Sequence, residues 1–288
     1  MPALTSGYLW KMRTNRSYHH EGPPYEFINF INKRRFNPPI LLAGYPKSGN
    51  TYIRFVYFHL LNIIKNNNDQ VLTYQDLRDI QHHTIEEFTL DEPNYTEMPL
   101  FFRTHNGYHP YYQNFKLIYV YRNPLDCMVS NYFFKEKDRP WRIINKDLIE
   151  KIPKFYWNTG GFIPVIANVK KLFKESLRYY FPDWCMHIKR YIGTTPHIIS
   201  YESLMCRPWD IFYSLFNDLG IVYESSQLET ALELSSFESI KKMESKEGGN
   251  AQTSAKKHGK NFAGKFARSG KVGQWKEYFD EDDLYYVE

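Results

Sequence analysis

The sequence predicts an α/β fold in which a P-loop-like, mainly parallel sheet is flanked by helices. Four short apolar runs, rich in β-branched and aromatic residues, have the pattern of buried strands. Longer segments with helical periodicity lie between and after these runs, and a glycine-rich turn joins the first strand to the first long helix. Strands that alternate with helices form a layered fold around a parallel sheet.

The elements follow in order along the chain. The predicted strands span residues 39–45, 99–105, 116–122 and 197–202. The predicted helices span residues 51–65, 124–134, 169–191 and 209–220. The second of these helices has a clear start signal, because Asn123 can cap it, Pro124 suits its first position and Asp126 adds negative charge to its first turn.

The chain of 288 residues has the length of one large domain or two ordinary ones. We expect a single domain over residues 1–288, with residues 1–35 as an N-terminal arm. Residues 244–270 are rich in Gly, Lys, Ser and Asn, which predicts a mobile loop and not a linker between domains.

Composition and charge argue against several classes of protein. With 42% hydrophobic residues, the chain can bury a substantial core. Its net charge of +5 is too small to indicate nucleic-acid binding, although it would help to attract a polyanionic substrate. The three cysteines, Cys127, Cys185 and Cys206, have no C-x-x-C spacing, which argues against a disulfide framework or a zinc site.

The sequence offers no sign of a membrane segment or a metal site. No uninterrupted apolar stretch reaches the roughly 20 residues that span a bilayer. The first 30 residues are rich in His, Arg and Tyr, unlike a signal peptide. No group of His, Cys or carboxylates has metal-ligand spacing. We therefore expect a cytoplasmic protein without metal, membrane or nucleic-acid partners.

The turn after the first strand has the composition of a phosphate loop. It runs G-Y-P-K-S-G-N-T-Y from Gly44 to Tyr52 and leads directly into a helix. Backbone N–H groups at a helix N-terminus bind anions, and glycines let the backbone approach the oxygens closely. In the Walker pattern G-x-x-x-x-G-K-[ST], Asn50 stands at the lysine position, and the lysine lies instead at Lys47. A phosphate or sulfate site is one interpretation of this turn, and a plain strand-to-helix connection is the other.

This turn resembles the 5′-phosphosulfate loop P-K-S-G-T-T-W of the cytosolic-type sulfotransferases. These enzymes use 3′-phosphoadenosine 5′-phosphosulfate (PAPS) as sulfuryl donor and release its desulfated product, PAP. The resemblance implies that the loop binds PAPS through Lys47, Ser48, Gly49, Asn50, Thr51 and Tyr52.

A second segment, residues 119–130, resembles the family's 3′-phosphate motif. The resemblance implies that Arg122 and Ser130 bind the 3′-phosphate. Arg122 ends a predicted strand, and Ser130 lies about two turns along the next helix, so both can reach one anion above the sheet edge.

Further matches extend the resemblance over residues 36–279. Thr104-His105 is similar to the family's K-T-H segment, which implies that His105 is the catalytic base. Tyr201-Glu202 resembles the family's Y-E-D segment, which implies that Tyr201 lies near the adenine.

Two C-terminal segments also match the family. Ser235-Ser236-Phe237 resembles T-S-F, which implies donor contacts from Ser235 and Phe237. Residues 268–275 resemble R-K-G-x-x-G-D-W, which implies that Arg268, Ser269 and Gly270 bind the donor near its 3′-phosphate and that residues 244–270 cover it.

The placement of the matched residues supports the same function independently of the family. Tyr45, His105, Arg122 and Tyr201 all fall at or beside the C-terminal ends of the four predicted strands. Ligands of open α/β sheets bind at that edge.

The resemblance implies a mechanism that needs one base and one cation. His105 would take the proton of the acceptor, and Lys47 would stabilise charge on the oxygen shared by the sulfate and the 5′-phosphate. The sequence departs from the family at Tyr52, which replaces a tryptophan, at Arg103, which replaces a lysine, and at Ser269, which replaces a basic residue. The family's dimer pattern after the last motif is absent, which leaves a monomer or a weak homodimer open.

Two alternatives remain at the level of sequence. A P-loop nucleotide kinase would need Mg²⁺ and a lysine at the Walker position. The second alternative is a non-catalytic nucleotide-binding protein of the same fold.

The acceptor is predicted only by charge. Five carboxylates precede His105, namely Glu86, Glu87, Asp91, Glu92 and Glu97. In the family that the chain resembles, the segment before the catalytic histidine borders the acceptor pocket. Carboxylates there would favour a cationic small molecule whose hydroxyl or amine is sulfated, such as a guanidinium alkaloid of the saxitoxin type from natural-product biosynthesis. A solvated acidic loop is the competing interpretation.

Overall fold

The computed structural model describes residues 23–32, 38–80, 85, 100–136, 181–246, 267 and 269–279. A parallel sheet lies at the centre of this part of the chain, and its strands stand in the order β2-β1-β3-β4. The strands are β1 (Ile40–Gly44), β2 (Phe101–Thr104), β3 (Lys116–Tyr121) and β4 (His197–Ser200). The predicted fold class is confirmed.

Helices flank the sheet. They are α1 (Tyr25–Asn32), α2 (Asn50–Asn66), α3 (Tyr74–Ile80), α4 (Pro124–Glu136), α5 (residues 181–191), α6 (Tyr201–Cys206), α7 (Pro208–Asp218), α8 (Ser225–Leu234) and α9 (Phe237–Lys246). Two 3-10 helices, Pro110–Asn114 and Gln274–Glu277, complete the described elements.

The two faces of the sheet bury separate apolar clusters, because successive side chains of a strand point to opposite sides. From β1, Ile40 and Leu42 pack with α2, α7 and α8, whereas Leu41 and Ala43 pack with α1 and the 3-10 helix Pro110–Asn114. β3 alternates in the same way. Both faces are therefore covered, which explains why the strands are continuous apolar runs and not alternating ones.

α2 is buried along most of its length and begins directly at the phosphate loop. Gly49 precedes it with φ 111°, and Asn67 follows it with φ 46°, so a left-handed residue stands at each end. On its inner face, His59 Nε2 accepts from the backbone N–H of Leu72 at 2.8 Å. The Nδ1–H of the neutral ring therefore donates to Ser235 Oγ at 2.7 Å, and that hydroxyl donates to the carbonyl of Ala231.

Several predicted boundaries are wrong by a few residues. The fourth strand, predicted over residues 197–202, ends at Ser200, because the Ser200 side chain accepts from the N–H of Ser203 and caps α6. Tyr201 is therefore the first residue of a helix. Residues 244–246 of the predicted loop belong to α9, which continues to Lys246.

His59 makes the stability of the fold depend on pH. Burial lowers its pKa from 6.5 to about 4, against weaker opposing effects of the Phe55 backbone and Asp76. Between pH 6.5 and about pH 4, His59 is protonated in the unfolded chain and neutral in the folded chain. The free energy of unfolding therefore falls as the pH is lowered through this range. We predict that His59 lowers the free energy of unfolding, measured with urea, by an amount on the order of 3 kcal/mol at pH 4 relative to pH 7.

The comparison is His59→Gln, which should show a smaller loss over the same pH range. His197→Gln is the matched control, because His197 lies on the sheet but is partly exposed. Equal pH dependence in wild type and His59→Gln would contradict the prediction.

Candidate active site

The parallel register brings the C-terminal ends of all four strands to one edge of the sheet. Ala43 pairs with Thr104, Gly44 pairs with Val120, and Tyr121 pairs with Ser200. The residues that follow these strand ends are the phosphate loop, His105, Arg122 and Tyr201. The structure thus brings together four of the features that the sequence placed at this edge.

The phosphate loop turns sharply between β1 and α2. Lys47 has φ 72° and Gly49 has φ 111°, so two residues occupy the left-handed region. A Cβ built on Gly49 would lie 2.6 Å from Cδ2 of Tyr201, which leaves no space for a side chain there. Lys47 is not a glycine, and its backbone conformation therefore carries strain of the kind found at binding sites.

Asn50 has an unsatisfied polar group at the base of this loop. The residue is 5% exposed, and neither its side-chain oxygen nor its nitrogen has a hydrogen-bond partner among the described residues. A buried amide without a partner is costly, and the first N–H groups of a helix also lack intrahelical partners. A bound oxyanion at the start of α2 would accept from the Asn50 NH2 group and from these N–H groups, so the loop fits a phosphate or sulfate group.

His105 is held in one tautomer by the neighbouring strand. Its Nδ1 lies 2.7 Å from the carbonyl oxygen of Gly44. A carbonyl only accepts, so Nδ1 carries the proton and Nε2 carries the lone pair of the neutral ring. The geometry therefore presents Nε2 as the nitrogen that can accept a proton.

Arg122 is buried at the end of β3 and stacks on an aromatic ring. Its guanidinium carbon lies 4.2 Å from the centre of the Tyr201 ring, and Nη2 donates to the carbonyl of Lys271 at 2.8 Å. Oδ2 of Asp126 lies 3.6 Å from Nη2 of Arg122. Nε of Arg122 has no partner among the described residues, so one donor is available to an anion. Burial raises the pKa of the Tyr201 hydroxyl, and the Arg122 cation partly opposes this rise.

A buried carboxylate fastens the C-terminal segment to this site. Asp126, fully buried, accepts from the N–H of Gly273 at 2.8 Å and from the N–H of Trp275 at 3.0 Å. The sequence predicted Asp126 only as a charge at the start of α4. Its contact with residues 147 and 149 positions further along the chain has no signal in local sequence.

The remaining predicted donor contacts are distributed around this edge. Gly270 lies against the ring of Phe237, where an added Cβ would be 2.7 Å from Cδ2, and its carbonyl accepts from Tyr201 Oη. Ser269 lies beside it, and Ser130 is partly buried on α4.

Ser235 is buried and Tyr52 is partly buried, and both make contacts inside the protein. The Ser235 hydroxyl is 1% exposed and is engaged by His59 and by the Ala231 carbonyl. Tyr52 packs edge-on against Phe212, and burial, with a smaller effect of Tyr201, raises its pKa to about 12. Ser235 therefore serves the interior hydrogen bonds described above.

Some predicted residues lie outside the described part of the chain. These are Arg268, most of residues 244–270, most of the N-terminal arm, residues 169–180 of the third predicted helix, and the acidic residues Glu86, Glu87, Asp91, Glu92 and Glu97. Across the described ranges, no group of three or more His, Cys, Asp or Glu side chains is arranged to hold a metal ion. No helix among these residues is long and apolar enough to cross a membrane.

Comparison with known proteins identifies the same family that the sequence motifs resemble. The family model for the sulfotransferase domain matches residues 37–288. Flavonol 3-sulfotransferase of Flaveria bidentis is 23% identical over 98% of this chain and 91% of that protein. Cytosolic sulfotransferase 16 of Arabidopsis thaliana is 23% identical over 83% of this chain and 70% of that protein.

Solved structures show a similar fold. Mouse sulfotransferase SULT7A1 complexed with PAP superimposes with a TM-score of 0.55 at 20% identity, covering 91% of this chain and 87% of that one. Retinol dehydratase in complex with androsterone and the inactive cofactor PAP gives a TM-score of 0.53 at 16% identity, covering 90% of this chain and 82% of that one.

Removal of the Asp126 carboxylate tests its contact with the C-terminal segment. We predict that Asp126→Ala lowers the free energy of unfolding by about 2–4 kcal/mol, because two N–H groups and a buried cation lose their partner. Hydrogen exchange should also become faster at the amides of Gly273 and Trp275. Asp69→Ala is the control, since Asp69 is exposed. Unchanged protection of both amides would contradict the assignment.

Proposed function

Because this chain belongs to the sulfotransferase family, we propose that it transfers the sulfuryl group of PAPS to a hydroxyl or amine of a small acceptor. The observation that carries the proposal is the meeting of the Lys47 loop, His105 and Arg122 at the C-terminal edge of one parallel sheet. We propose further that one domain carries this activity and that it acts in the cytoplasm, as the names of its cytosolic relatives suggest.

The donor would bind along this edge. Lys47, Ser48, Gly49, Asn50 and Thr51 would hold the 5′-phosphosulfate, and the unpartnered amide of Asn50 supports this role. Arg122 and Ser130 would hold the 3′-phosphate, for which the remaining donor of Arg122 is suited. The adenine would lie near Tyr52, Tyr201 and Phe237, with Arg268, Ser269 and Gly270 closing over it.

PAPS supplies an activated sulfuryl group, whose bond to the 5′-phosphate oxygen breaks as a bond to the acceptor forms. His105 takes the acceptor proton on Nε2, because Nδ1–H is committed to the Gly44 carbonyl. Lys47 would stabilise the charge that builds on the 5′-phosphate oxygen as the sulfuryl group departs. No step requires a metal ion in this scheme, since the cation and the helix N-terminus supply the positive charge.

The acceptor class rests on sequence alone. The five carboxylates between residues 86 and 97 would attract a cationic molecule, such as a guanidinium alkaloid of the saxitoxin type. A relative named for flavonol sulfation provides the contrasting class, a neutral phenol.

The reaction itself is tested by following sulfate labelled with sulfur-35 from PAPS to an acceptor panel. We predict that His105→Ala lowers kcat by about 10²–10⁴-fold, because it removes the base. Lys47→Ala should lower kcat by about 10²–10³-fold, because it removes the charge that stabilises the leaving oxygen. Both variants should still bind PAP in calorimetry, since the two groups act mainly in the transition state.

His197→Ala is the matched control, because His197 begins β4 at the opposite edge of the sheet. Labelled ATP with Mg²⁺ tests the kinase alternative, and EDTA should leave sulfuryl transfer unchanged. Wild-type rates in His105→Ala, or phosphoryl transfer that depends on Mg²⁺, would overturn the proposal.

The acceptor class is tested by reversing charges one at a time. We predict that each of the single substitutions Glu86→Lys, Glu87→Lys, Asp91→Lys and Glu92→Lys raises the KM for a cationic acceptor several-fold at low salt. The increase in KM should be smaller at high salt, because ions screen the attraction. The control is Glu229→Lys, an exposed position on α8. Unchanged KM in all four variants, or much faster sulfation of neutral phenols, would show the acceptor class to be wrong.

A further inference from the structure

His187 on α5 is fully buried behind the candidate base and makes hydrogen bonds at both ring nitrogens. Its Nε2 lies 3.1 Å from the carbonyl oxygen of His105 and 3.0 Å from that of Asn106. Because carbonyls only accept, Nε2 carries the proton and donates to both. Nδ1 therefore accepts from the hydroxyl of Tyr119, which lies 2.9 Å away. The hydrogen bonds fix both the tautomer and the orientation of the ring.

Neighbouring rings prevent His187 from turning. Tyr119 and Tyr191 stack with centroids 4.2 Å apart and planes 11° apart, and the His187 ring lies within 5.7 Å of each. Tyr191 also donates through its hydroxyl to the carbonyl of Asn106 at 2.9 Å. The two carbonyls after β2 thus receive three hydrogen bonds from α5.

These carbonyls need such support because they lie beyond the sheet. β2 ends at Thr104, so the strand pairing with β1 does not extend to residues 105 and 106. The side chain of His105 is held by Gly44 on β1, and its main chain is held by His187 on α5. A base attached at both ends has little freedom to leave its reactive position.

The same helix also contacts the phosphate loop. Tyr45, two residues before Lys47, donates to Asp183 Oδ2 at 2.8 Å and meets the edge of the His187 ring at 5.4 Å. α5 therefore contacts both the segment that carries His105 and the segment that carries Lys47. It links these two segments through side-chain contacts.

We infer that His187 is a positioning residue for sulfuryl transfer, which holds the main chain of His105 so that the base faces the acceptor. The inference rests on the proposed function in taking His105 as the base. His187 itself exchanges no proton with the acceptor and acts through its hydrogen bonds to the carbonyls of His105 and Asn106.

The test compares His187→Phe, which keeps an aromatic ring but removes the donor, with His187→Gln, which keeps an N–H near the position of Nε2. Misplacement of a reacting group by about 1 Å costs on the order of 10²-fold in rate. We expect kcat of His187→Phe to fall by roughly that factor, with the dissociation constant for PAP within about two-fold of wild type. His187→Gln should recover most of the rate.

A second readout does not depend on turnover. In ¹⁵N-histidine-labelled protein, His105 should show a single tautomer protonated at Nδ1 in the wild type and a mixture in His187→Phe. If the wild type transfers no sulfate to any acceptor, the proposed function fails while this spectrum still tests the positioning. Tyr191→Phe, which removes only one donor to Asn106, should fall between wild type and His187→Phe and serves if the latter does not fold.

Leu228→Ala on α8 is the control for general loss of stability, because it empties a buried site away from the base and should lower Tm without lowering kcat. Wild-type kcat and an unchanged His105 spectrum in His187→Phe would overturn the inference. A parallel loss of PAP binding and kcat, or failure of His187→Gln to restore the rate, would also overturn it, since either result indicates a purely structural role.

Discussion

The close approach at Gly44 is the constraint on which the rest of the site depends. A Cβ at this position would lie 2.7 Å from the side-chain oxygen of Asn50 and 2.7 Å from the backbone oxygen of Val120. The absence of a side chain lets β1 pair with β3 and lets α2 begin immediately after the loop. The Gly44 carbonyl also accepts a hydrogen bond from His105 Nδ1, so one residue without a side chain orients the loop and the His105 ring together.

Two carboxylates outside the sheet, the fully buried Asp126 and the partly buried Glu202, hold backbone segments at this edge. Asp126 holds the segment around Gly273 and lies near Arg122, while Glu202 accepts from the N–H of Asn123 at 2.9 Å and ties α6 to the start of α4. Each carboxylate satisfies backbone donors at a turn, where regular secondary structure offers no acceptor. The chain thus uses these two charges to position backbone segments at this edge.

Within the described residues, the predicted strands and helices agree with the structure to within a few residues, because burial on both faces of a parallel sheet produces apolar runs that are visible in sequence. The errors fall where local chemistry overrides the apolar pattern. Ser200 caps a helix inside a run that resembles a strand, and α9 continues into a segment whose composition resembles a loop. Polar capping bonds of this kind depend on geometry that hydrophobic periodicity does not record.

The sequence by itself determined the fold class and the family, and it predicts a site around Lys47, His105 and Arg122, because each of them lies in a short motif beside a strand end. Only the tertiary structure decided how these residues are held. The Nδ1–H tautomer of His105, the position of His187 behind it, the interior role of Ser235 and the contact of Asp126 with Trp275 all join residues far apart in the chain. Such contacts arise when the sheet brings distant segments together, and no local pattern in the sequence encodes them.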